Sequence, residues 1–259
     1  MRRAVIHADA GSVERKPRGR RSGLASLLLV LALTAPARAQ EAYDPFEPVN
    51  RAIFSFNLTL DRFVIEPVAR GYRFVAPQPV RNSITNFLAN LRSPVIFAND
   101  LLQGERDRAG VTLGRFMINS SLGVLGLFDA ASAFGYKPHS EDMGQTFGVW
   151  GAPAGPYLML PILGPSNLRD ATGRVGDYFI NPLNHCCIDS DERYLIFGMT
   201  GISEREANIE AFEDLKKNSL DLYAAVRSIY TQSRAAEIAN GAPTGNQQQY
   251  DEIFQDHEE

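Results

Sequence analysis

Residues 143–168 read MGQTFGVWGAPAGPYLMLPILGPSNL, 26 positions without a formal charge between Asp142 and Arg169. That length matches the roughly 20 apolar residues needed to cross a hydrocarbon layer of about 30 Å. The composition rules out a spanning helix. Pro153, Pro156, Pro161 and Pro165 remove backbone donors, and Gly144, Gly148, Gly151, Gly155 and Gly164 weaken a helix further. Two readings stay open. The stretch is a buried loop and strand in a soluble core, or it is irregular backbone at membrane depth, tolerated only where protein covers it or a polar cavity borders it.

Working outward, residues 122–134 (LGVLGLFDAASAF) carry a single charge, Asp129, and prepare a second hydrophobic surface just before the charge-free run. Within the run, Tyr157 to Leu163 is the best strand candidate, and Pro161 confines it to an edge or a loop. The rest reads as helix. Asp44-Pro45-Phe46-Glu47 supplies a cap, a first-position proline and a reciprocal Glu. Val49, Ile53, Phe56, Leu60 and Phe63 follow at helical spacing, with Arg51 and Asn57 off that stripe. Pro67 restarts the chain into a segment ending near Val75. Val80 to about Leu102 is helical with a break at Ser93-Pro94, Gly104 ends it, and Arg108 to Asn119 forms another helix. Asn167 to Phe179 is helical. Ser203 and Glu206 read as a capping box opening a long helix, broken near Asn218-Ser219 and continued by Leu222, Val226 and Ile229. No internal repeat is evident. The expected fold is mostly α, one helical domain over residues 40–240 with a Gly/Pro-rich non-helical insertion.

Residues 1–39 read as a signal peptide. Arg15, Lys16, Arg18, Arg20 and Arg21 precede an apolar run from Leu24 to Leu33, and Ala37 and Ala39 fit the small-residue cleavage rule. No cysteine stands near Ala39-Gln40, so this site offers no thiol for acylation. Removing the segment takes eight Lys/Arg and two Asp/Glu with it and leaves a formal net charge of −10. Such an acidic chain disfavours nucleic acid as a partner, because phosphate neutralisation needs clustered basic residues. Residues 241–259 are Gln-rich and acidic and read as a disordered tail.

The chemical inventory is thin. Cys186 and Cys187 are the only cysteines and are adjacent, which departs from ordinary disulfide geometry and points to packing as the source of stability. Three consecutive residues, His185-Cys186-Cys187, cannot all converge on one ion from a regular backbone, so no metal is expected. His139, His185 and His257 remain after cleavage, and no HExxH, GxSxG, Walker or CxxC motif occurs. Neither an enzyme nor a cofactor is expected.

Ordered blocks carry a resemblance. Asp44-Pro45-Phe46-Glu47-Pro48-Val49-Asn50-Arg51 with Phe56-Asn57 opens it, and Pro77-Gln78-Pro79-Val80-Arg81-Asn82 with Asn86-Phe87 follows. Leu102-Gln103-Gly104, then Arg115-Phe116 with Asn119 and Gly123, continue in order. The charge-free run itself supplies Gly144-Gln145-Thr146-Phe147-Gly148, Gly155-Pro156-Tyr157, Leu160-Pro161 and Gly164, followed by Leu168-Arg169-Asp170. Over roughly residues 44–225 the chain resembles the MlaA (VacJ) family of outer-membrane phospholipid-transport proteins.

The resemblance implies a mostly helical, ring-like protein on the periplasmic side of the outer membrane. It implies binding to porin trimers, and passage of mislocalised outer-leaflet phospholipid through an amphipathic channel to a soluble periplasmic carrier, which keeps the membrane asymmetric. A lipid path needs apolar walls and a few polar groups. Leu122, Leu125, Phe128, Leu158 and Leu160 are the apolar candidates. Arg51, Arg81, Arg115 and Arg169 sit in matched blocks and suit phosphate through their forked donors; Asn57, Asn119 and Asp170 complete the polar set. For each Arg the alternative is a structural ion pair or cap. Trp150 and Tyr157 suit either a membrane-water boundary or core packing. The segment 182–202, a hydrophobic hairpin in family members, here carries Asp189, Asp191, Glu192 and Arg193. The remaining alternative is an exported structural protein that binds porins or tethers the envelope without moving lipid.

Overall fold

The computed structural model describes residues 43–186 and 188–240. The expected signal peptide and acidic tail lie outside the described residues. Helix α1 (Glu47–Leu60) leads through a π-helical turn (Asp61–Ile65) into α2 (Glu66–Val75). Pro67 therefore does not restart the chain. Its missing N–H and its clash with the carbonyl four residues earlier are absorbed by the wider π turn that precedes it. The long helix α3 (Gln78–Gln103) likewise runs unbroken through Pro94 and stops at Gly104, whose φ of 82° makes the left-handed cap. The expected break at Ser93-Pro94 does not form. Ser93, Val95 and Ile96 are buried there, and tertiary packing outweighs the local proline penalty.

After α4 (Arg106–Ser121), an irregular loop leads to the short α5 (Ala130–Ala133), capped by the Asp129 side chain. The charge-free stretch then resolves into three elements. Helix α6 (Met143–Val149) was not expected from a glycine-rich segment, but Asp142 caps it by accepting from the Gln145 N–H at 2.9 Å. Its glycines permit close approach. A Cβ on Gly173 would lie 2.3 Å from the Gly144 nitrogen, so α6 and α7 (Leu168–Ile180) touch backbone to backbone. Between these helices, β1 (Tyr157–Leu160) and β2 (Gly164–Asn167) pair antiparallel, Tyr157 opposite Asn167. The strand candidate is thus shorter than Tyr157–Leu163, and Pro161 stands in the turn.

Helices α8 (Leu183–Cys186), α9 (Ser190–Ala207), α10 (Ile209–Asn218) and α11 (Leu222–Ile238) complete the chain. Two capping assignments move. Ser203 and Glu206 lie buried inside α9, whose capping box is Asp189 with Glu192. At the other end of the chain, α1 begins after Phe46, leaving Asp44 free to accept from Asn50 (2.8 Å), Arg227 (3.0 Å) and the Tyr223 hydroxyl. Cys186 is disulfide-bonded, contrary to the expectation that packing alone supplies stability; Cys187 lies outside the described residues.

Packing follows a closed circuit of neighbours. It runs from α1 to β1, β2, α7, α6, α3, α9, α2 and back through the π turn to α1, while α4 rests on α3 and α11 covers α6 and β2. The fold is mostly helical with one small sheet, as expected. The apolar core is small. Phe54, Tyr157, Met159 and Tyr223 form it, with the Phe54 and Tyr157 rings edge-on to Tyr223 at 5.6 and 6.1 Å.

Candidate functional site

The polar and apolar residues are distributed against the usual rule. The largest fully buried side chains are Tyr157, Gln145, Glu141, Asn99, Thr146, Asp100 and Ser166, all but one of them lacking an apolar body. Meanwhile Phe63, Phe74 (91% exposed), Val75, Leu125, Phe179 and Tyr194 face outward. Helix α1 shows the inversion most clearly. Its apolar stripe has the expected period, yet Val49, Phe56 and Phe63 are exposed, and the buried residues are Asn50 and Phe54. Exposed apolar surface on this scale marks contact with membrane or protein. No helix among the described residues is long and apolar enough to cross a membrane.

Burying polar groups requires that each find a partner. One seam meets this requirement around the hairpin. Asn50 donates to Tyr157 O (3.0 Å) and accepts from Met159 N (2.9 Å), and two helical turns later Asn57 donates to Leu160 O (2.9 Å) and accepts from Ile162 N (2.8 Å). The two amides act as a substitute strand along the open edge of β1. On the far side, Asp170 accepts from Arg234 Nε (2.8 Å), Asn167 (2.8 Å), Arg169 (2.9 Å) and the Tyr230 hydroxyl. Arg234 reaches on to Asp142 at 2.8 Å. Burial pushes the Asp142 carboxyl up, but Arg234 and the Gln145 amide outweigh it and hold its pKa at about 2. For Asp170 burial is again opposed, and Arg234 and Tyr230 hold its pKa below the usual value. Tyr223, Arg227, Tyr230 and Arg234 recur at helical spacing on α11 and carry much of this seam. Sequence reading passed over them because Leu222, Val226 and Ile229 supply the apolar stripe of the same helix.

A second polar region is a cleft along α3. At one mouth lie Arg73, Gln78, Arg81, Asn82, Thr85 and Glu206. The inner part is walled by Asn86, Asn90 and Ser93 of α3, Thr112, Arg115 and Asn119 of α4, and Asp129 and His139, with Ala89, Ile96 and Pro138 between them. Asn86 lines both parts. His139 Nε2 stands 3.1 Å from both oxygens of the buried Asp100. Beside the cleft runs the loop between α4 and α5, where Leu122, Leu125 and Phe128 are exposed. Val124 and Leu125 hold positive φ of 53° and 58°, a strained conformation that a β-branched residue rarely adopts.

The structure separates the candidate residues into two groups. Arg81, Arg115 and Asn119 line the cleft, whereas Leu122, Leu125 and Phe128 are exposed on the neighbouring loop, which touches the cleft through the Leu125 and Leu127 backbone carbonyls. The others belong to the seam. Asn57 and Asp170 have the partners given above, and Arg51 bridges Glu47 (2.7 Å) and Asp221 (2.6 Å). Leu158 and Leu160 are half-buried in β1. Each of the four arginines makes protein ion pairs: Arg169 with Asp170 (2.9 Å), Arg81 with Glu206 (3.2 Å), Arg115 with Asp129 (3.0 Å), and Arg51 as described. Tyr157 is core, whereas Trp150 is exposed and donates to Leu102 O at 3.0 Å. The charged segment 189–193 is helical: Asp189 and Glu192 cap α9, and Arg193 donates to Asn184 O at 3.0 Å.

Many exposed large apolar side chains, a buried polar network and a cleft with polar walls define a class: helical proteins whose outer surface offers apolar contact to a membrane or a protein neighbour. The chain belongs to the MlaA lipoprotein family, whose model matches residues 42–237. It is 35% identical over 225 residues to the intermembrane phospholipid transport system lipoprotein MlaA of Escherichia coli K12, covering 84% of this chain and 87% of the relative. It is 36% identical over 199 residues to an uncharacterized protein of Rickettsia typhi, covering 76% of this chain and 79% of that one. A solved structure described as the structural basis for maintenance of bacterial outer membrane lipid asymmetry superposes with a TM-score of 0.69 at 33% identity. That match covers 75% of this chain and 98% of the other. The Escherichia coli relative is described as a lipoprotein, whereas the cysteines of this sequence stand at positions 186 and 187.

Proposed function

We propose that this chain carries mislocalised phospholipids out of the outer leaflet of the outer membrane and hands them to a soluble periplasmic carrier, keeping that membrane asymmetric. The observation that carries this reading is the polar cleft along α3 set beside the exposed apolar loop at Leu122, Leu125 and Phe128. A phospholipid needs both surfaces at once. Arg81, Arg115 and Asn119 border the headgroup route, and the three loop residues border the acyl chains. Arg51, Asn57, Arg169 and Asp170, with Leu158 and Leu160, act on the path through the hairpin they hold. No bond is made or broken, so this is transport and not catalysis.

Outward apolar side chains on α1, α2 and α9 support residence on the periplasmic side of the outer membrane, against a porin trimer and the lipid surface. A clean deletion in the native bacterium is expected to raise surface-exposed phospholipid and detergent sensitivity. An unchanged outer-leaflet composition would sink the proposal. The competing scaffold reading draws on the internal pairing of every candidate arginine, and it predicts that no phospholipid copurifies with the protein.

A further inference from the structure

The inner cleft has a hydrogen-bonding polarity that its residue types alone do not reveal. Each of its amide, guanidinium and hydroxyl side chains makes at least one donor bond within the protein, while one N–H of Asn86 and of Asn119 and the Arg115 Nε–H have no protein partner among the described residues. Asn86 Nδ2 donates to Leu127 O (3.4 Å), and Asn90 Nδ2 donates to Ser120 Oγ (3.0 Å) and Leu125 O (3.5 Å). Asn119 Nδ2 and a terminal nitrogen of Arg115 donate to Asp129 (3.2 and 3.0 Å), while the other terminal nitrogen of Arg115 goes to Ser132 and Tyr136 O. The hydroxyls of Thr112 and Ser93 donate to Asp100 (2.6 Å) and Ala89 O (3.4 Å). The orientation of the two α3 amides is fixed, because the backbone carbonyls of Leu125 and Leu127 can only accept. Asn90 is further held by the loop packed on it, since a Cβ on Gly126 would lie 2.5 Å from the Asn90 Cβ.

Asn86 Oδ1 and Asn90 Oδ1 have no hydrogen-bond partner among the described residues, and both residues line the cleft. A phosphodiester offers only acceptors and cannot bond to them. A primary ammonium or a hydroxyl can, whereas a trimethylammonium has no N–H to give.

We propose that the inner cleft selects phospholipids by a hydrogen-bond donor at the end of the headgroup, with the Asn86 and Asn90 carbonyl oxygens as the specificity-determining atoms. This rests on the transport reading and assigns its substrate class: ethanolamine- and glycerol-type headgroups pass in preference to choline.

The test uses the full chain reconstituted in vesicles of equimolar phosphatidylethanolamine, phosphatidylglycerol and phosphatidylcholine with matched acyl chains. The protein is re-extracted in mild detergent and the retained lipid is quantified by mass spectrometry. Retention of the ethanolamine and glycerol lipids is expected to exceed that of the choline lipid by about five- to tenfold, the factor one net hydrogen bond supplies. Asn86→Leu should bring the ratio towards one. Asn86→Asp keeps an acceptor, so discrimination against choline should persist and ethanolamine should gain over glycerol. Retention in the proportions of the vesicle would overturn the inference and leave transport standing. No retention above that of an unrelated detergent-solubilised protein would overturn the transport reading and this inference with it.

Discussion

The hairpin seam and the α3 cleft are made from the same asparagines, arginines and carboxylates, yet they differ in what remains open. In the seam both ends of the Asn50 and Asn57 amides are matched, and Asp170 is surrounded by donors from α7, α11 and the β2 end. The Tyr157 hydroxyl is the buried exception without a partner there. In the cleft the amides of Asn86 and Asn90 hold the neighbouring loop by contacts of 3.4 and 3.5 Å, at the edge of hydrogen-bond range, and their oxygens have no partner among the described residues. A closed network fixes geometry; an open one can exchange partners with something that passes. Membership of a charged or amide residue in a recognisable motif therefore does not say which role it has.

The largest effect that would sharpen this contrast is in the seam. Asp170→Ala leaves Arg234 and Arg169 buried without their carboxylate and is expected to cost about 3–5 kcal/mol. Thermal unfolding in detergent should show a fall of roughly 6–20 °C for a domain of this size. Arg169→Ala should also lose folded protein. In the cleft, Arg115→Ala should lose lipid passage, and because it also frees Asp129, Ser132 and the Tyr136 carbonyl its melting temperature should fall, though by less than that of Arg169→Ala. Equal losses of folded protein in these two arginine variants would erase the distinction between the regions. Gly173→Ala belongs with the seam, because the added methyl meets the α6 backbone. A destabilisation of about 1–3 kcal/mol by overpacking is expected, read as a shifted denaturation midpoint.

Acid separates the carboxylates by sign. Asp142 and Asp170 have folded pKa values below their unfolded ones, so the stability they contribute is present above about pH 4. It is lost as pH falls through the folded value, which for Asp142 is about 2. For Asp142 this amounts to about 2 kcal/mol. Burial pushes Glu141 and Asp177 the other way, and their partners only partly offset it. Their contribution is fully present below the unfolded value and is lost as pH rises through the raised one. Denaturant midpoints should therefore rise as pH falls from 7 towards 4.5 and drop below pH 4. A midpoint that fell steadily from pH 7 would contradict these assignments.

Much of the fold was legible because helix period, caps and glycine stops act locally. Gly104, the Asn167 cap and the break at Asn218-Ser219 all stand where sequence reading puts them. The direction of a stripe is not local. Val49 and Phe56 have the right spacing for a core face, and they point outward because Asn50 and Asn57 are matched to the β1 edge more than a hundred residues away. Helix α6 was hidden for a related reason: Gly144 weakens an isolated helix but permits its contact with Gly173. The cleft was half legible. Arg81, Arg115 and Asn119 stood in recognisable blocks, whereas Asn90 carries no signal until α4 and its loop are packed beside it.

The smallest expected change in stability is at Asn86, and there the contrast between the regions is tested most directly. Asn57→Ala removes two good hydrogen bonds and exposes unpaired groups on β1, which should cost about 1–3 kcal/mol. Asn86 is half-buried and makes one bond of 3.4 Å, so Asn86→Leu should shift stability by no more than about 0.5 kcal/mol. Two amides on different helices would then differ severalfold in their worth to the fold and in the opposite sense in their worth to the cargo. Chemical unfolding of both variants, read beside the lipid each retains, measures the two quantities separately. If Asn86→Leu destabilised the protein as much as Asn57→Ala, its amide would be part of the framework, and the open carbonyl oxygen would be incidental to a bond stronger than its length implies.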